Sequence, residues 1–324
     1  MVTLEDVAAH AGVSRATVSR VVNGDTKVKS HTRTKVEAAI AELGYSPNPA
    51  ARALASSQSH TIGLVTTSYT GGFFGSLMDT VQSEAESNGK QLLVTQGRGV
   101  EENERNAIQR LYNLRCDGLV IHVRAISDET LVQLAERGNK FIVLDREVPA
   151  LRERCVVFDH RLASQMATQY LLDAGHRAIA CLHGPTQRAS SLLRRQGFLD
   201  VMERDGIKPV AVVEGEYDMP SGYKQTAALL DKYKISALYC CNEEMAVGAM
   251  LAITERGLRI PLDISLICYD SGDRAAFVRP ALTSIYFPIG DMARYATRKL
   301  LNEQCENESF LPSIVARDSV RDLR

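Results

Sequence analysis

Arginine and small polar side chains share one exposed face of a short predicted helix near the N-terminus. Valines form the inward face of this helix, and the residues outside that apolar stripe are Arg15, Ala16, Ser19 and Arg20. A guanidinium group can bind the O6 and N7 atoms of guanine in the major groove, whereas hydroxyl groups and helix N-termini bind phosphates. The alternative is a solvated face on a small helical domain. The pattern therefore makes this helix a candidate DNA-reading element.

A second group of polar and aromatic side chains follows predicted strands in the rest of the chain. Its members are Phe73, Phe74, Asp145, Arg146, Asp159, Asn242 and Asp270. Open α/β sheets bind ligands at the carboxyl ends of their strands. These residues therefore indicate a second candidate site, for a small ligand.

The elements that would position the first group are three short helices. Thr3 can cap a helix that ends at Gly12, with Asp6 as the acidic partner of a capping box. Gly12 suits a tight turn because glycine adopts positive φ readily. Ser14 can cap the second helix, and a third runs from about His31 to Leu43. Helix, turn and helix in this order form the helix-turn-helix pattern, whose second helix enters the major groove.

From residue 60 onward, short apolar strands alternate with amphipathic helices. Such alternation predicts parallel sheets covered on both faces, and the number of strands favours two α/β lobes. The predicted strands are 61–67, 91–96, 118–123, 141–145, 155–159, 178–184, 237–242 and 265–270, and the predicted helices are 75–88, 101–114, 164–174, 194–204, 221–230, 244–256 and 291–301. Between the two parts, prolines at 47 and 49 precede a short helical segment and a serine-rich linker.

Composition excludes several classes of protein. The chain has 324 residues, 45% hydrophobic content and a net charge of −1, and its first 58 residues hold seven basic against five acidic side chains. The sequence contains no run of eighteen apolar residues, which a membrane span would need, and its N-terminus has no secretory pattern. We therefore expect a cytoplasmic protein with no membrane partner.

Enzyme chemistry has no support in the motifs. Walker, HExxH, GxSxG and GxGxxG motifs are absent where they would be informative. His122 and His183 end predicted strands, but neither has a nucleophile nearby in sequence. The seven cysteines show no repeated spacing, so reduced buried thiols are expected rather than disulfides or metal ligands. The sequence predicts no enzyme, no cofactor and no metal.

Several ordered motifs resemble one protein family. They are "TLEDVAAHAGVSRATVSRVVNG", "AIAELGYSPNPAARALASSQSHTIGLV", "AGHRAIACLHGP", "RQGFLDVMERDGI", "NEEMAVGAM", "PLDISLICYD" and "RPALTSIYFP". Together they are similar to the lactose/galactose repressor (LacI/GalR) family of bacterial transcription regulators, over nearly the whole chain and most closely in its galactose-repressor branch. The resemblance implies a DNA-binding domain at 1–46, a hinge helix and linker at 47–59, and a two-lobed, periplasmic-binding-protein-like core at 60–324. Its N-lobe would cover about 60–158 plus 288–312, and its C-lobe about 159–287 plus 313–324.

The resemblance also implies which residues touch DNA. Arg15, Ala16 and Arg20 fall at positions that read operator bases, and Leu54 matches a leucine that wedges into the central base step. Positions that match phosphate or backbone contacts are Thr3, Ser14, Thr17, Ser19, Asn23 and Asn48. The hinge helix would fold only where two copies meet on bent DNA.

In the core, the resemblance implies a sugar effector held by polar and aromatic side chains. The implied residues are Phe73, Phe74, Asp159, Arg188, Ser190, Arg194, Tyr217, Asn242 and Asp270. Carboxylate, amide and guanidinium groups suit sugar hydroxyls, and aromatic rings suit the apolar sugar face. Two departures flank these positions: Glu243 stands where the family has Asp, and "CYDSG" replaces "GYDD". They favour an effector other than galactose.

The resemblance therefore implies a homodimeric repressor on a pseudo-palindromic double-stranded operator, relieved by a sugar effector. Two other interpretations remain open. The effector could act as a corepressor, as in the purine-repressor branch of the same family. The chain could also be a sugar-binding protein without DNA function, which the N-terminal module disfavours.

Overall fold

The computed structural model describes residues 2–22, 24–46, 59–270, 272–302 and 308–324. The chain divides into two compact units, Met1–His60 and Thr61–Arg324. The predicted hinge at 47–59 falls almost entirely outside the described residues, as do Asn23, Asn48 and Leu54. Within the described chain, no helix is long and apolar enough to cross a membrane.

Three helices form the N-terminal unit: α1 (Leu4–Ala11), α2 (Arg15–Val22) and α3 (Ser30–Leu43). The capping box forms as the sequence predicts, since the Asp6 amide donates to Thr3 Oγ1 and the Thr3 amide to Asp6 Oδ2. Gly12 ends α1 at a φ of +64°. The core of the unit is small and consists of Val7, Ala8, Val18, Val21, Val36 and Ala39.

The second unit contains two sheets with helices on their faces. The first sheet is parallel, in the order β2-β1-β3-β4-β5. Its strands and helices are β1 (Thr61–Thr66), α4 (Gly72–Ser87), β2 (Gln91–Gln96), α5 (Glu101–Asn113), β3 (Leu119–Ile121), α6 (Asp128–Glu136), β4 (Phe141–Leu144) and β5 (Cys155–Val156). A 3₁₀ helix, Pro149–Arg154, connects β4 to β5.

The second sheet has six strands in the order β11-β10-β9-β8-β6-β7, all parallel except the β10–β11 pair. Its elements are α7 (His160–Asp173), β6 (Ile179–His183), α8 (Ala189–Arg204), β7 (Ala211–Glu214), α9 (Met219–Lys232), β8 (Ala237–Cys240), α10 (Glu243–Glu255), β9 (Ser265–Tyr269), α11 (Asp273–Phe277), β10 (Thr283–Tyr286) and β11 (Ser313–Val315). Between β10 and β11 the chain returns to the first sheet as α12 (Ile289–Leu300), which packs on α4 and β4.

The sequence prediction missed the short elements. Strands β7, β10 and β11 were not predicted, helices α6 and α11 were not among the helices named from the sequence, and the predicted strand 155–159 contains only two strand residues. Strands of three or four residues with partly exposed faces lack the long apolar run that marks a buried strand. Helices α7 and α8 also begin four and five residues before their predicted starts, because their first turns are polar.

The described cysteines form no disulfide bonds. All six are free thiols, and five are buried. The Sγ atoms of Cys181 and Cys241 lie 3.8 Å apart. Burial raises the pKa of both Cys240 and Cys268, which keeps these thiols protonated.

Candidate DNA and effector sites

Helix α2 presents the side chains that the sequence assigned to DNA. Arg15, Ala16 and Arg20 are exposed, whereas Thr17 and Ser19 are partly buried beside the valine core. The turn before α2 is held locally, since the Thr17 amide donates to Ser14 Oγ at 3.2 Å. A rigid small helix with two exposed guanidinium groups can enter a groove without rearranging its core.

One of these arginines has an acidic neighbour. The Nε atom of Arg15 lies 3.0 Å from Glu5 Oε1, and both side chains are more than half exposed. Exposed ion pairs contribute little to stability because water screens both charges. Arg15 can therefore exchange Glu5 for a guanine or phosphate at small cost.

The second candidate site is a cavity of about 310 Å³ in the Thr61–Arg324 unit. Its walls come from segments that follow strands of both sheets, as the rule for α/β folds requires. The lining residues are Thr67, Thr70, Gly71, Gly72, Phe73, Phe74, Ser76, His122, Arg124, Asp145, Arg188, Ser190, Arg194, Tyr217, Asn242, Glu243, Glu244, Asp270, Gly272, Tyr286, Phe287, Ile289, Gly290 and Asp291.

Eight of the nine residues assigned to the effector line this cavity: Phe73, Phe74, Arg188, Ser190, Arg194, Tyr217, Asn242 and Asp270. Asp159 does not. Its side chain is exposed and caps α7 by accepting a hydrogen bond from the Leu162 amide at 2.8 Å. Cap and ligand chemistry use the same carboxylate, so the residue type alone could not separate the two roles.

Arg194 is the buried cation of the cavity. Its guanidinium lies 3.7 Å from the ring centroid of Tyr269, and its Nη1 donates to the Cys241 carbonyl at 2.7 Å. Burial opposes the charge, but nearby Tyr217, Tyr269 and Asp270 outweigh it and raise the pKa of Arg194. The guanidinium therefore stays charged in an apolar setting, where its interactions are strong.

Asp145 is the buried anion, and sequence reasoning noted it only as a strand end. His160 Nε2 lies 2.8 Å from its Oδ1, and Arg124 pairs with its Oδ2. Burial raises the pKa of Asp145, but His160 and Arg124 reverse this effect and leave it well below its usual range. The carboxylate is therefore ionised and fully committed within the protein.

His160 extends this network from the first sheet to the second. Its Nδ1 lies 2.7 Å from the Tyr269 hydroxyl and 3.3 Å from Arg194 Nε. Burial lowers the pKa of His160, so the ring is neutral, with Nε2–H donating to Asp145 and Nδ1 accepting. The bond from β4 to the first residue of α7 thus joins the two lobes at the cavity.

The loop that carries Arg124 is fixed by one buried carboxylate. Glu104 on α5 accepts the amides of Arg124, Ala125 and Ile126 at 2.7, 2.9 and 2.8 Å. Arg124 also donates to His122 Nε2 at 2.6 Å. Burial and the Arg124 charge lower the pKa of His122, so this ring is neutral as well.

Two further carboxyl groups that line the cavity, those of Asp270 and Glu243, can accept hydrogen bonds. Asp270 Oδ1 is buried and has no hydrogen-bond partner within the described chain, and burial raises the pKa of this carboxyl. Glu243 accepts the Ala275 amide at 2.6 Å, and burial raises its pKa to about 7. Buried polar atoms without partners are uncommon, so Asp270 is available to a bound hydroxyl or amide.

Aromatic rings supply the apolar wall. Phe73 and Phe287 stack with centroids 5.6 Å apart, and Phe74 meets Phe73 edge-on at 5.0 Å. Both phenylalanines at 73 and 74 are partly buried, so part of each ring faces the cavity. Such a wall accepts the apolar face of a ring-shaped ligand.

Asn242 and Tyr217 are linked to each other. Asn242 Nδ2 donates to the Tyr217 carbonyl at 3.0 Å, while Asn242 Oδ1 accepts the Met245 amide and caps α10. The Tyr217 hydroxyl is buried without a described partner. Its ring packs on Gly184, where any Cβ would lie about 2.1 Å from the ring. Glycine at 184 therefore makes room for this tyrosine.

Several lining residues were not assigned to the site from the sequence, chiefly Arg124, Tyr286 and Phe287. Asp145 was a strand-end candidate and does line the cavity, and Glu243 was noted as flanking it. Phe287 directly follows β10, a strand that the sequence did not predict, so the strand-end rule did not reach it. In the structure Asp145, Tyr217 and Asp270 have positive φ, of 59°, 64° and 70°. Among the described residues, no group of three His, Cys, Asp or Glu side chains could hold a metal ion.

Comparisons with known proteins cover both units. A family model described as bacterial regulatory proteins, lacI family, matches residues 3–48. Another, described as periplasmic binding proteins and sugar binding domain of LacI family, matches residues 59–289.

Full-length relatives and solved structures agree with these matches. The transcriptional regulators GalS of Salmonella typhimurium and GalR of Escherichia coli are each 35% identical, over 99% of this chain and 97% and 96% of their own lengths. The repressor PurR of Proteus mirabilis is 33% identical over 99% of this chain and 98% of its own. The lac repressor dimer bound to operator and the anti-inducer ONPF superposes with a TM-score of 0.89 at 33% identity, covering 99% of both chains.

Proposed function

Since this chain belongs to the LacI family of bacterial regulatory proteins, we propose that it is a repressor whose affinity for operator DNA is changed by a sugar-like effector in the cavity. The family is one of transcription regulators, so the predictions of an α/β regulator and of no enzymatic activity are confirmed. We further propose that the protein acts in the cytoplasm as a homodimer, with helix α2 of each copy in a major groove.

One observation carries the proposal of a hydroxyl-rich effector: Asp270 lines the cavity and has a carboxylate oxygen without a hydrogen-bond partner in the described chain, while aromatic rings line the same cavity. A sugar offers donors for Asp270 and an apolar face for Phe73 and Phe287. The cavity volume also suits a small ligand, since ligand sites begin at roughly 300 Å³. A solved relative, the regulator CelR, has been described in complex with cellobiose.

The mechanism is a coupling between two sites. An effector that binds better to the DNA-free arrangement lowers operator affinity, and the operator lowers effector affinity by the same factor. Typical couplings are about 1–3 kcal/mol. The residues proposed for the DNA side are Thr3, Ser14, Arg15, Ala16, Thr17, Ser19 and Arg20, together with Asn23, Asn48 and Leu54 beyond the described chain.

The test uses the full chain. A duplex is selected from random sequence, and its affinity is measured by fluorescence anisotropy over a range of salt and with a panel of monosaccharides. We expect a palindromic duplex, a steep salt dependence and release by at least one sugar. Asp270→Ala should keep operator affinity and lose the sugar response. If no duplex is enriched, or no ligand changes its affinity, the proposal is wrong.

The opposite sign of coupling is the second candidate. The repressor PurR stands among the full-length relatives, and the resemblance to the purine-repressor branch is what makes an effector that strengthens operator binding the alternative. The same titration decides between the two, because a corepressor raises the anisotropy at a fixed protein concentration and an inducer lowers it.

A further inference from the structure

Arg188 carries a positive charge in the cavity, and no carboxylate that lines the cavity forms an ion pair with it in the described chain. Its side chain is half-buried. Its guanidinium lies 5.5 Å from the ring centroid of Tyr217. Burial lowers the pKa of Arg188; Tyr217 and Glu216 oppose this shift, and the charges of Arg124 and Arg194 add to it. The site is therefore short of negative charge.

The acids that line the cavity do not supply this charge. Asp145 is committed to Arg124 and His160, Glu244 pairs with Arg274, and Asp291 lies 2.7 Å from Arg294. The two remaining acids, Glu243 and Asp270, both have raised pKa values because they are buried. The negative groups are thus either paired or disfavoured as anions.

The residue after Arg188 begins a sixteen-residue helix, α8, whose first turn faces the cavity. Arg188 occupies the N-cap position, and no side chain caps this end. Within the described chain, the amides of Ala189 and Ser190 have no acceptor, since the first internal bonds run from Ser191 and Leu192 to the Arg188 carbonyl. Free amides and the helix dipole make such an end favourable for an anion.

One side chain in this turn provides independent evidence for a ligand here. Ser190 is only 7% exposed and lines the cavity, yet its hydroxyl has no hydrogen-bond partner among the described residues. The Tyr217 ring lies 5.5 Å from the Arg188 guanidinium, while its hydroxyl is enclosed near Ser191. Buried hydroxyls normally find partners, so the Ser190 hydroxyl is available to an acceptor in the cavity.

We propose that the effector is a sugar bearing an anionic group, a phosphate or a carboxylate, and that this group binds at the N-terminus of α8 between Arg188, Ser190 and Tyr217. This inference rests on the proposed effector site and makes its ligand class narrower. The sugar hydroxyls then lie toward Asp270 and the phenylalanine wall. Bidentate guanidinium contacts and helix amides both suit phosphate and carboxylate.

The experiment measures affinity for matched ligands by isothermal titration calorimetry on the full chain. Each series holds a neutral sugar, its phosphate ester and its sugar acid, for both glucose and galactose, with inorganic phosphate alone as the minimal probe. Ionic strength is kept constant with chloride. We expect one anionic form to bind at least about tenfold more tightly than its neutral parent, and the preferred arm distinguishes phosphate from carboxylate.

Two variants assign the preference to this place. Arg188→Gln should reduce the anionic preference, which is the ratio of the affinities for the anionic and the neutral form, to near unity. Arg195→Gln removes the same charge from the next turn of α8, outside the cavity, and should retain the preference. Ser190→Asp places a carboxylate at the helix end and should abolish anion binding, with helix content checked by circular dichroism.

Two outcomes overturn the inference. One is that neither phosphate, sugar phosphates nor sugar acids bind more tightly than the neutral sugars or chloride. The other is that Arg188→Gln leaves the preference intact. In both cases the proposed function still holds if a neutral sugar releases the operator. If no sugar of any kind changes operator affinity, the proposed function is wrong as well.

Discussion

In the N-terminal unit, Arg15 and Arg20 stand exposed on a helix whose core is six small apolar side chains. In the cavity, Arg194 and Asp145 are buried and held by several partners each. Water solvates the two exposed arginines, which are free for the proposed contact with DNA, while the protein itself must stabilise the buried charges of the cavity. We therefore expect substitutions of the exposed arginines on α2 to change DNA binding without changing stability, and substitutions of the buried charges in the cavity to change both ligand binding and stability.

The largest effect is expected from the buried cation. Arg194→Met removes the buried donor to the Cys241 carbonyl and to His160 Nδ1, and each buried acceptor left without a partner costs about 1–3 kcal/mol. We expect the free energy of unfolding of the core, measured in urea, to fall by about this amount and the effector response to disappear. Arg195→Met, on the same helix but outside the cavity, should change unfolding by well under 1 kcal/mol.

The pH dependence of the free energy of unfolding tests the cost of a buried charge at Glu243. Its pKa rises from 4.5 in the unfolded chain to about 7 in the folded one, so the ionised form is disfavoured on folding. The stability contribution of Glu243 is therefore full below pH 4.5, declines between pH 4.5 and about 7, and is flat above, a change of up to about 3 kcal/mol.

Glu243→Gln should remove this part of the pH dependence. The measurement is the difference in free energy of unfolding between the original chain and the variant from pH 4 to 8. Glu244→Gln serves as the control, since Glu244 lies on the same turn of α10 and pairs with Arg274. A difference that does not change with pH would contradict the burial argument.

On the DNA face, the expected result is a loss of binding without a loss of stability. Arg20→Ala should weaken operator binding by about 1–3 kcal/mol and relax sequence preference at one position. Thermal unfolding and effector affinity should stay as they are. Lys35→Ala, an exposed cation on α3, is the matched control; if it weakens binding equally, Arg20 contributes only general charge.

The smallest effect concerns the capping box. Thr3→Ala removes the acceptor of the Asp6 amide and should destabilise α1 by about 1 kcal/mol. Hydrogen exchange should then speed up at amides in residues 4–43 and not in the core. Thr34→Ala, at an exposed position inside α3, should leave exchange nearly unchanged. Equal exchange in both variants would mean that the cap contributes nothing.

Local signals predicted the parts of the molecule that depend on neighbouring residues. Thr3 and Asp6 mark the start of α1, and Gly12 marks its end. The predicted ends of long apolar strands such as β1 and β6 lie within one or two residues of the observed ends. Asp145, His160 and Tyr269 meet across more than a hundred residues of chain, so no spacing rule connects them. The family resemblance correctly assigned Arg194, Asn242 and Asp270 to the cavity. It also assigned Asp159, whose carboxylate instead caps α7.

The bond between Asp145 and His160 connects the end of β4 in the first sheet to the start of α7, which packs on the second sheet, beside the cavity. Pulling the lobes straight apart there would leave a carboxylate facing empty space in a dry interior, whereas a twist about the bond preserves it. A rotation about this bond therefore costs less than a separation of the two sheets across it.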